Sequence, residues 1–406
     1  MIKGESIICF APEPWDTIWR NRHQIMFRLA RHNRVLYVEP IPNLRPTARR
    51  LVRGQVRPVD LLRPRCNRLE GGLFIYQPHP LLPMSGRPPL GLITAELRRR
   101  LLTRTLRKLS MREPVLWLYR PEMHRLIGQF GESLCVYHVV DEYTGYVGVT
   151  PSLRALLRQE ELRMLSKANL VIVVSEALYR NRVSANPNTF VVPNGVDIDA
   201  FKAIEDLGEP PEDIRSIARP VLGYIGLISA RLDLNCLRLV LDNLPQCSLV
   251  LLGSIDWAQA EDELKSLLSR PHVHYLGRKT PQEMPAYLRH FDVCLVPYRV
   301  GEETVNADPL KAYEYLASGK PIVGADIPSL RRFSEVIRLA STEAEFLRHV
   351  KEAISDVDSE MPARRKKLAE QNSWDDRVEQ ISHLLEIHWP QPPKSKRNRL
   401  KCPVPP

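Results

Sequence analysis

Lys311 and Glu314 stand three residues apart in a predicted helix that opens with Pro309. The unpaired N–H groups and the positive dipole end of a helix N-terminus suit a phosphate or diphosphate, and Lys311 adds a cation at that end. Glu314 lies further along the helix, where a carboxylate cannot help to bind phosphate but can accept two hydrogen bonds from a vicinal diol such as ribose. The spacing therefore predicts a nucleoside-diphosphate site along one helix.

The stretch Asn306–Gly324 must position these two side chains, and it reads as loop, helix, turn and strand. Asp308 is a suitable N-cap, Pro309 fits the first helical position, and Gly319 can end the helix with a positive φ. The apolar run Pro321–Ala325 predicts a strand buried on both faces. An ordinary surface helix, with the lysine and the glutamate in an i,i+3 ion pair, is the alternative.

The same alternation of short apolar runs and amphipathic stretches continues along the whole chain, which is typical of parallel sheets covered by helices. The predicted strands of the first half are Ser6–Ala11, Arg34–Val38, Leu73–Gln77, Val115–Tyr119, Leu134–Val140, Leu170–Val174 and Thr189–Val192. Those of the second half are Val221–Ile225, Ser248–Leu252, Val273–Leu276, Val293–Pro297 and Pro321–Ala325. The predicted helices include Thr17–His32, Ala95–Leu109, Ser152–Ser166, Pro281–Phe291 and Trp374–Ile387.

Length, composition and charge limit the class of protein. A chain of 406 residues is long for one core and usual for two domains, and 44% hydrophobic residues exclude wholesale disorder. Residues 41–112 contain 16 Lys and Arg against three acids, a net charge of +13 in a chain of net charge +11. This basic block could contact anionic lipid or nucleic acid, or could be a solvated insertion.

The sequence shows no sign of a membrane span, a cofactor or a metal site. No window approaches the roughly 20 apolar residues of a spanning helix, and the N-terminus does not read as a signal peptide. The seven cysteines stand singly, as expected of reduced thiols in the cytosol. The pattern Asp197-Ile198-Asp199 lies in a predicted linker, and no dinucleotide fingerprint exists, so we predict neither a metal nor a cofactor.

Three segments of the stretch analysed first, Pro309–Lys311, Glu314–Ala317 and Gly319–Val323, resemble the donor-site segment of retaining family 4 (group 1) glycosyltransferases. The branch that makes surface polysaccharides of the teichuronic-acid type is the most similar. The resemblance covers roughly residues 5–385, and further matching pieces follow in the order of the family. These pieces are Arg22–Asn33, Tyr137–Tyr143, Ala168–Glu176, Pro193–Asp197, Gly223–Gly226, Val273–Gly277 and Tyr287–Pro297.

The resemblance implies the GT-B fold, in which two doubly wound Rossmann-like α/β domains face each other across a cleft. We predict an acceptor-side domain with a basic insertion over residues 1–200 and a nucleotide-sugar donor domain over 218–373. The resemblance alone implies that residues 374–390 form a helix that crosses back to the first domain. The tail, 391–406, is rich in proline and lysine and is predicted to be disordered.

Residue roles follow from the same resemblance. The segment Pro309, Leu310 and Lys311 would hold the diphosphate of the donor, and Glu314 would hold the ribose. Asn306 stands where the family often has a second glutamate, so the contact with the sugar cannot be carried over unchanged.

Three further residues are candidates for catalysis. Arg231 could form a bidentate contact with the diphosphate, although an ordinary surface arginine would give the same sequence pattern. Asp141 and His138 lie at a strand end that should face the cleft, where a helix cap and a packed core histidine are the alternatives. The predicted substrate-binding set is completed by Gly226, Arg278 and Arg22.

We therefore predict a glycosyltransferase that moves a sugar from a nucleotide-diphosphate sugar to a polysaccharide or lipid-linked acceptor. We expect it in the cytoplasm, bound peripherally to the inner face of the membrane through residues 41–112. The alternatives are an epimerase-like GT-B enzyme, a non-catalytic nucleotide-sugar-binding protein, and a nucleic-acid binder that uses the basic block. Sparse aromatic residues in that block argue against binding of single strands by base stacking, and we expect no nucleic acid.

Overall fold

The computed structural model describes residues 1–17, 19–41, 64–78, 90–146, 148–202, 208–356 and 358–389. Within these residues the strands form two separate sheets, one of eight strands and one of six. The predicted fold class, α/β with two doubly wound units, is confirmed, because in each sheet the strand order reverses beside the unit's first long strand.

The first sheet has the order β3-β4-β2-β1-β5-β6-β7-β8, and only the pair β3–β4 is antiparallel. Its strands are β1 Ser6–Phe10, β2 Arg34–Val38, β3 Arg65–Arg68, β4 Leu73–Gln77, β5 Val115–Leu118, β6 Leu134–Val139, β7 Leu170–Val173 and β8 Thr189–Val191. The central strands are buried along their whole length, because helices cover both faces of the sheet.

The helices of the first half are α1 Asn21–Leu29, α2 Leu90–Lys108, α3 Pro151–Leu165, α4 Glu176–Arg180 and α5 Ile198–Lys202. Helix α1 packs on one face of the sheet, while α2 and α3 pack on the other. Successive side chains of β1 divide between the two faces: Ile7 and Cys9 join the core under α1, and Ile8 joins the core under α2 and α3.

The second sheet is wholly parallel and has the order β11-β10-β9-β12-β13-β14. Its strands are β9 Val221–Ile225, β10 Ser248–Leu252, β11 Val273–Tyr275, β12 Val293–Val296, β13 Ile322–Ala325 and β14 Ile337–Ala340. The helices of this half are α6 Glu212–Arg215, α7 Leu234–Asn243, α8 Glu261–Leu268, α9 Met284–His290, α10 Glu302–Asn306, α11 Leu310–Ser318, α12 Pro328–Arg331, α13 Glu343–Ile354 and α14 Met361–Glu370.

The last described helix, α15 Trp374–His388, leaves the second half of the chain and packs against α1. Trp374, Val378, Ile381 and Leu385 are buried in the core of the first sheet. A parallel bridge between Val196 and Ser373 precedes the helix. The last described helix and the N-terminal part of the chain therefore belong to one α/β unit.

Two strands were not predicted, and two helices are shorter than predicted. Strand β3 is an exposed edge strand without apolar residues, so no alternation marks it. Strand β14 has only four residues and two of them are half-buried. The helix predicted over Thr17–His32 spans only Asn21–Leu29. The helix predicted over Pro281–Phe291 spans only Met284–His290.

Several predictions fall outside the described residues. These are nearly half of the basic block, namely residues 42–63 and 79–89, and the tail 390–406. Among the described helices, none combines the length and the apolar character that crossing a bilayer requires.

Candidate functional site

A cavity of about 980 Å³ lies between the carboxyl ends of the strands of the two sheets. Residues that follow β1, β5 and β6 line it on one side, and residues that follow β9, β10, β11 and β12 line it on the other. Open α/β sheets bind ligands at this end of their strands, beside the point where the strand order reverses. The volume is suitable for a small-molecule ligand.

The N-terminus of α11 forms part of the wall, since residues 307–311 line the cavity. Pro309 is the N-cap and provides no side-chain acceptor, so the N–H groups of the first turn stay open to a ligand. Asp308, which we predicted to cap the helix, is instead buried and does not bond to the N–H groups of the first turn. Its carboxylate accepts hydrogen bonds from Asn194 N at 2.7 Å and Tyr313 Oη at 2.8 Å.

Asn194 ties the two halves of the chain together at this point. Its side-chain nitrogen donates to the carbonyl oxygen of Asp308 at 2.7 Å, and its side-chain oxygen accepts from Asn21 Nδ2 at 3.0 Å. Arg332 also donates to the Asp308 carboxylate at 2.6 Å. The prediction of a cap is wrong because these partners, which are distant in sequence, outcompete the local helix N–H groups.

Lys311 is not the mobile cation that the sequence suggests. Its side chain is buried, with the ammonium group 2.5 Å from Tyr298 Oη and about 4.6–4.7 Å from the centroids of the Tyr298 and Tyr224 rings. Burial would raise the pKa of Tyr298, but the charges of Lys311 and Arg231 outweigh it and hold that pKa below its usual value. The two rings fix the ammonium group at the start of α11.

Gly226 provides the space for this lysine. It has a φ of +134°, and a Cβ at this position would lie 3.1 Å from both Cε and Nζ of Lys311. A side chain would therefore be strained and would also press on the ammonium group. The structure places this predicted binding residue on the cavity wall.

Glu314 lines the cavity one turn along α11. Burial raises its pKa, and the charge of Lys311 offsets only part of that rise. The i,i+3 ion pair with Lys311 does not form, and no other Lys or Arg of the described residues lies within ion-pair distance of the carboxylate. The carboxylate is thus available to a ligand.

Arg231 and Asp141 meet across the cavity from the two halves of the chain. The Arg231 Nη2 atom lies 3.9 Å from Asp141 Oδ1, while its Nε atom donates to Glu303 Oε1 at 2.9 Å. Burial would lower the pKa of Arg231, but Tyr298, Asp141 and Glu303 raise it overall. Glu303 and Tyr298 are functional candidates that our sequence reasoning missed.

His138 is misplaced in our prediction. It is fully buried, does not line the cavity, and its ring stacks on that of Tyr119 with the centroids 5.2 Å apart. Burial first, and then the charge of Arg22, lowers its pKa to about 3, so the ring is neutral. A packed core histidine, the alternative, is what the structure shows.

Asn306 also turns away from the cavity. Its side-chain nitrogen donates to the carbonyl oxygen of Glu302 at 2.7 Å, and its own carbonyl accepts from Ser175 Oγ at 2.8 Å. The wall instead carries Glu303 from the same short helix. The contact with the sugar that we considered for Asn306 is therefore not available to it.

The remaining predicted residues, Pro309, Leu310, Arg278 and Arg22, all line the cavity. Arg22 belongs to the first half of the chain and forms an ion pair with Glu13 at 2.5 Å. Within the described residues, no three His, Cys, Asp or Glu side chains are grouped as metal ligands.

Comparison with known proteins agrees with this geometry. Residues 219–356 match the family described as glycosyl transferases group 1, and they contain β9 to β14 with α11 and its cavity wall. The match to this family thus lies in the second half of the chain and includes the second sheet. The resemblance noted in the sequence is thereby confirmed at the level of the domain family.

A curated protein similar to this chain is the putative teichuronic acid biosynthesis glycosyltransferase TuaH of Bacillus subtilis (strain 168). The two are 26% identical over 233 residues, which are 54% of this chain and 57% of that protein. The match thus spans little more than half of the relative's length.

Solved structures extend the likeness to almost the whole chain. Sucrose-phosphate synthase from Thermosynechococcus elongatus superposes with a TM-score of 0.69 at 16% identity, covering 94% of this chain and 98% of that one. Anabaena Alr3699/HepE, solved in complex with UDP-glucose, gives a TM-score of 0.66 at 16% identity, covering 94% and 99%. At this level of identity the likeness shows the fold, which is the predicted GT-B fold.

Proposed function

We propose that this protein transfers a sugar from a nucleotide-diphosphate sugar to a saccharide or lipid-linked acceptor during synthesis of a cell-surface polysaccharide. One observation carries the proposal. The uncapped start of α11, the fixed ammonium of Lys311 and the unpaired carboxylate of Glu314 follow one another along a cavity wall in a group 1 glycosyltransferase domain. This is the order of groups that a diphosphate followed by a ribose requires.

The chemistry that these groups can perform is stabilisation of a leaving group. Negative charge grows on the diphosphate as the bond to the sugar breaks, and fixed positive groups then bind it more strongly than they bind the substrate. Lys311 and the N–H groups of α11 are already in place. Arg231 can join them by exchanging its contact with Glu303 for one with the diphosphate.

We further propose that the donor is a uridine diphosphate sugar, since a protein of the same fold is described as a complex with UDP-glucose. Retention of the anomeric configuration is proposed from the family resemblance. The coupling constant of the anomeric proton in the product tests it. We also propose that the chain's own cations replace a metal ion at the diphosphate.

Thermal stabilisation provides a direct test of donor binding. A ligand that binds only the folded state raises its stability in proportion to RT ln(1 + [L]/Kd), about 2.7 kcal/mol at a hundredfold excess over Kd. We expect UDP and at least one UDP-sugar to raise the melting temperature, with EDTA leaving the shift unchanged. A shift that EDTA abolishes and a divalent ion restores would refute the metal-free site.

Transfer is then measured as release of UDP with and without acceptor extracts of a cell envelope. Release that depends on the extract supports a glycosyltransferase, whereas conversion of the sugar nucleotide without acceptor indicates an epimerase-like enzyme. Binding without any turnover would identify a nucleotide-sugar-binding protein and would overturn the proposed activity.

We also propose that the protein binds the inner face of the membrane through its basic block, residues 41–112. The block has a net charge of +13. Its described part includes α2, on which Leu92, Ile93 and Leu97 are exposed by 69%, 56% and 42%. Apolar side chains next to arginines on one helix suit the interface of an anionic bilayer.

Flotation with vesicles that contain anionic lipid checks this proposal. We expect binding that falls steeply with salt, because exposed charges are screened over about 8–10 Å at physiological ionic strength. Replacing Arg100, Arg104 and Lys108 of α2 by glutamine should weaken binding. Replacing Lys265, Arg348 and Arg364 removes the same charge from the second half as a control. Equal binding by both triple variants would contradict the proposal.

A further inference from the structure

The first half of the chain forms one wall of the cavity. This wall includes two buried polar side chains, Asn21 and Arg22, in the first turn of α1. Both line the cavity, although they are only 4% and 3% exposed. Arg22 Nη2 lies 2.5 Å from Glu13 Oε2, whereas Asn21 Oδ1 and Arg22 Nε make no hydrogen bond among the described residues. Buried polar groups are nearly always hydrogen-bonded, so these atoms point to a missing partner.

Two further groups beneath this wall are also unpartnered. Tyr119 Oη and His138 Nδ1 are fully buried and make no hydrogen bond within the described part of the chain. The Tyr119 ring lies 5.9 Å from the Arg22 guanidinium carbon, and His138 Nε2 lies 3.4 Å from Asn21 Nδ2. The unpartnered atoms therefore belong to one cluster at the base of the cavity.

The charge of this cluster is positive. Arg22 and Arg20 share a single carboxylate, Glu13, with nitrogen-to-oxygen distances of 2.5 and 3.2 Å. His138 is neutral because burial and the charge of Arg22 lower its pKa to about 3. These two guanidinium groups thus share one carboxylate within ion-pair distance, and an anionic ligand would give Arg22 a partner of its own.

The backbone adds to this charge. The N-cap of α1 provides no side-chain hydrogen bond to the first turn, so its N–H groups and the positive dipole end accompany Arg22. A guanidinium at a helix N-terminus matches the geometry of a carboxylate or a phosphate.

We propose that Arg22 and the first turn of α1 bind an anionic group on the acceptor saccharide, while Asn21 Oδ1 accepts a hydrogen bond from a hydroxyl group of the same sugar. The anionic group is a carboxylate, as in a uronic acid, or a phosphate ester. This inference rests on the proposed glycosyl transfer, because the acceptor is the ligand expected on the wall opposite the donor helix α11. Glu13 holds Arg22 in place until the anion of the acceptor takes over that contact.

Calorimetric titration with three sugars tests the site: glucose, glucuronate and glucose 6-phosphate at constant ionic strength. We expect the wild-type protein to bind at least one anionic sugar about tenfold more tightly than glucose, as a charge-assisted contact implies. The anionic sugar that binds more tightly identifies the group as a carboxylate or a phosphate. Equal affinity for all three sugars overturns the proposal.

Two variants at the ion pair should have opposite effects. Arg22→Gln should remove the preference for the anionic sugar, while Glu13→Gln should increase it, because the competing carboxylate is gone. If the ion pair is only structural, both substitutions should change the preference for the anionic sugar in the same direction. Arg31→Gln, at the other end of α1, is the matched control. A preference that survives Arg22→Gln refutes the role of Arg22.

The titrations are run with and without saturating UDP, and UDP affinity is measured for each variant. If neither the wild type nor any variant binds UDP, the result counts against the proposed function. The anion preference is read in both conditions, so its absence counts against this site alone. Melting temperatures establish that each variant is folded.

Discussion

Replacing Lys311 by methionine should slow sugar transfer by about two to three orders of magnitude, the usual cost of removing one fixed donor from a transition state. Methionine retains the length and the apolar packing of the stem between Tyr224 and Tyr298. The ammonium is lost from the position where the leaving diphosphate gains charge. Single-turnover rates with the sugar nucleotide that best stabilises the protein provide the measurement.

The effect should fall mainly on the rate and less on donor affinity, because the charge on the diphosphate grows only as the bond breaks. Tyr298→Phe keeps the ring but removes the hydroxyl that holds the ammonium at 2.5 Å. It should therefore give a smaller loss in the same direction. Lys265→Met removes an exposed lysine of α8 and is the matched control. An unchanged rate in Lys311→Met would exclude this lysine from leaving-group stabilisation.

The sequence predicts the sheets well because the buried parallel strands are uninterrupted apolar runs. Strand β2, Arg34–Val38, and strand β9, Val221–Ile225, have the predicted bounds. The antiparallel edge strand β3 is missed because its side chains are exposed and polar, so no hydrophobic pattern records its pairing. Patterns of this kind report burial, and an edge strand is defined by backbone pairing instead.

The candidate site is only partly predictable for a related reason. Lys311 and Glu314 are predicted correctly as lining residues because helix geometry fixes the distance between them and places both near the start of α11. Asp308 is assigned wrongly because its partner Asn194 belongs to the other half of the chain, whereas the side chain of Asn306 is held by a carbonyl of its own short helix. A local pattern of caps and spacing contains no information about such distant partners.

Tyr298 and Glu303 are missed for the opposite reason. Neither belongs to a pattern with a chemical meaning of its own, and each acquires a role through the cation that it contacts. Tyr298 follows the carboxyl end of β12, beside the point where the strand order of the second sheet reverses. That position is the one sequence-level signal that could have found it.

Replacing Glu314 by glutamine should weaken nucleotide binding by one to two orders of magnitude, at about 1.5–3 kcal/mol for a charged hydrogen bond. Glutamine keeps the shape of the side chain and weakens the acceptor. The loss should disappear when the diol is absent. We therefore expect wild type to bind UDP far more tightly than 2′,3′-dideoxy-UDP, and Glu314→Gln to discriminate little between them. Glu370→Gln, an exposed change on α14, is the control.

The effect of Glu314→Gln on stability should be opposite to the effect of breaking a structural ion pair. Because the pKa of Glu314 is raised in the folded protein, the fold binds more protons than the unfolded chain between the ordinary and the raised pKa. Ionised Glu314 therefore destabilises the fold above that window. Glutamine cannot ionise, so the melting temperature of Glu314→Gln at neutral pH should stay the same or rise.

A bound diol compensates for the free-energy cost of the buried charge only while the Glu314 carboxylate is ionised. The advantage of UDP over the dideoxy nucleotide should therefore shrink as the pH falls through the raised pKa, and it should be independent of pH in Glu314→Gln. A drop in melting temperature with unchanged discrimination between the two nucleotides would instead assign Glu314 to the fold. The carboxylate has no cationic partner among the described residues, so a diol is the ligand that can compensate for its burial.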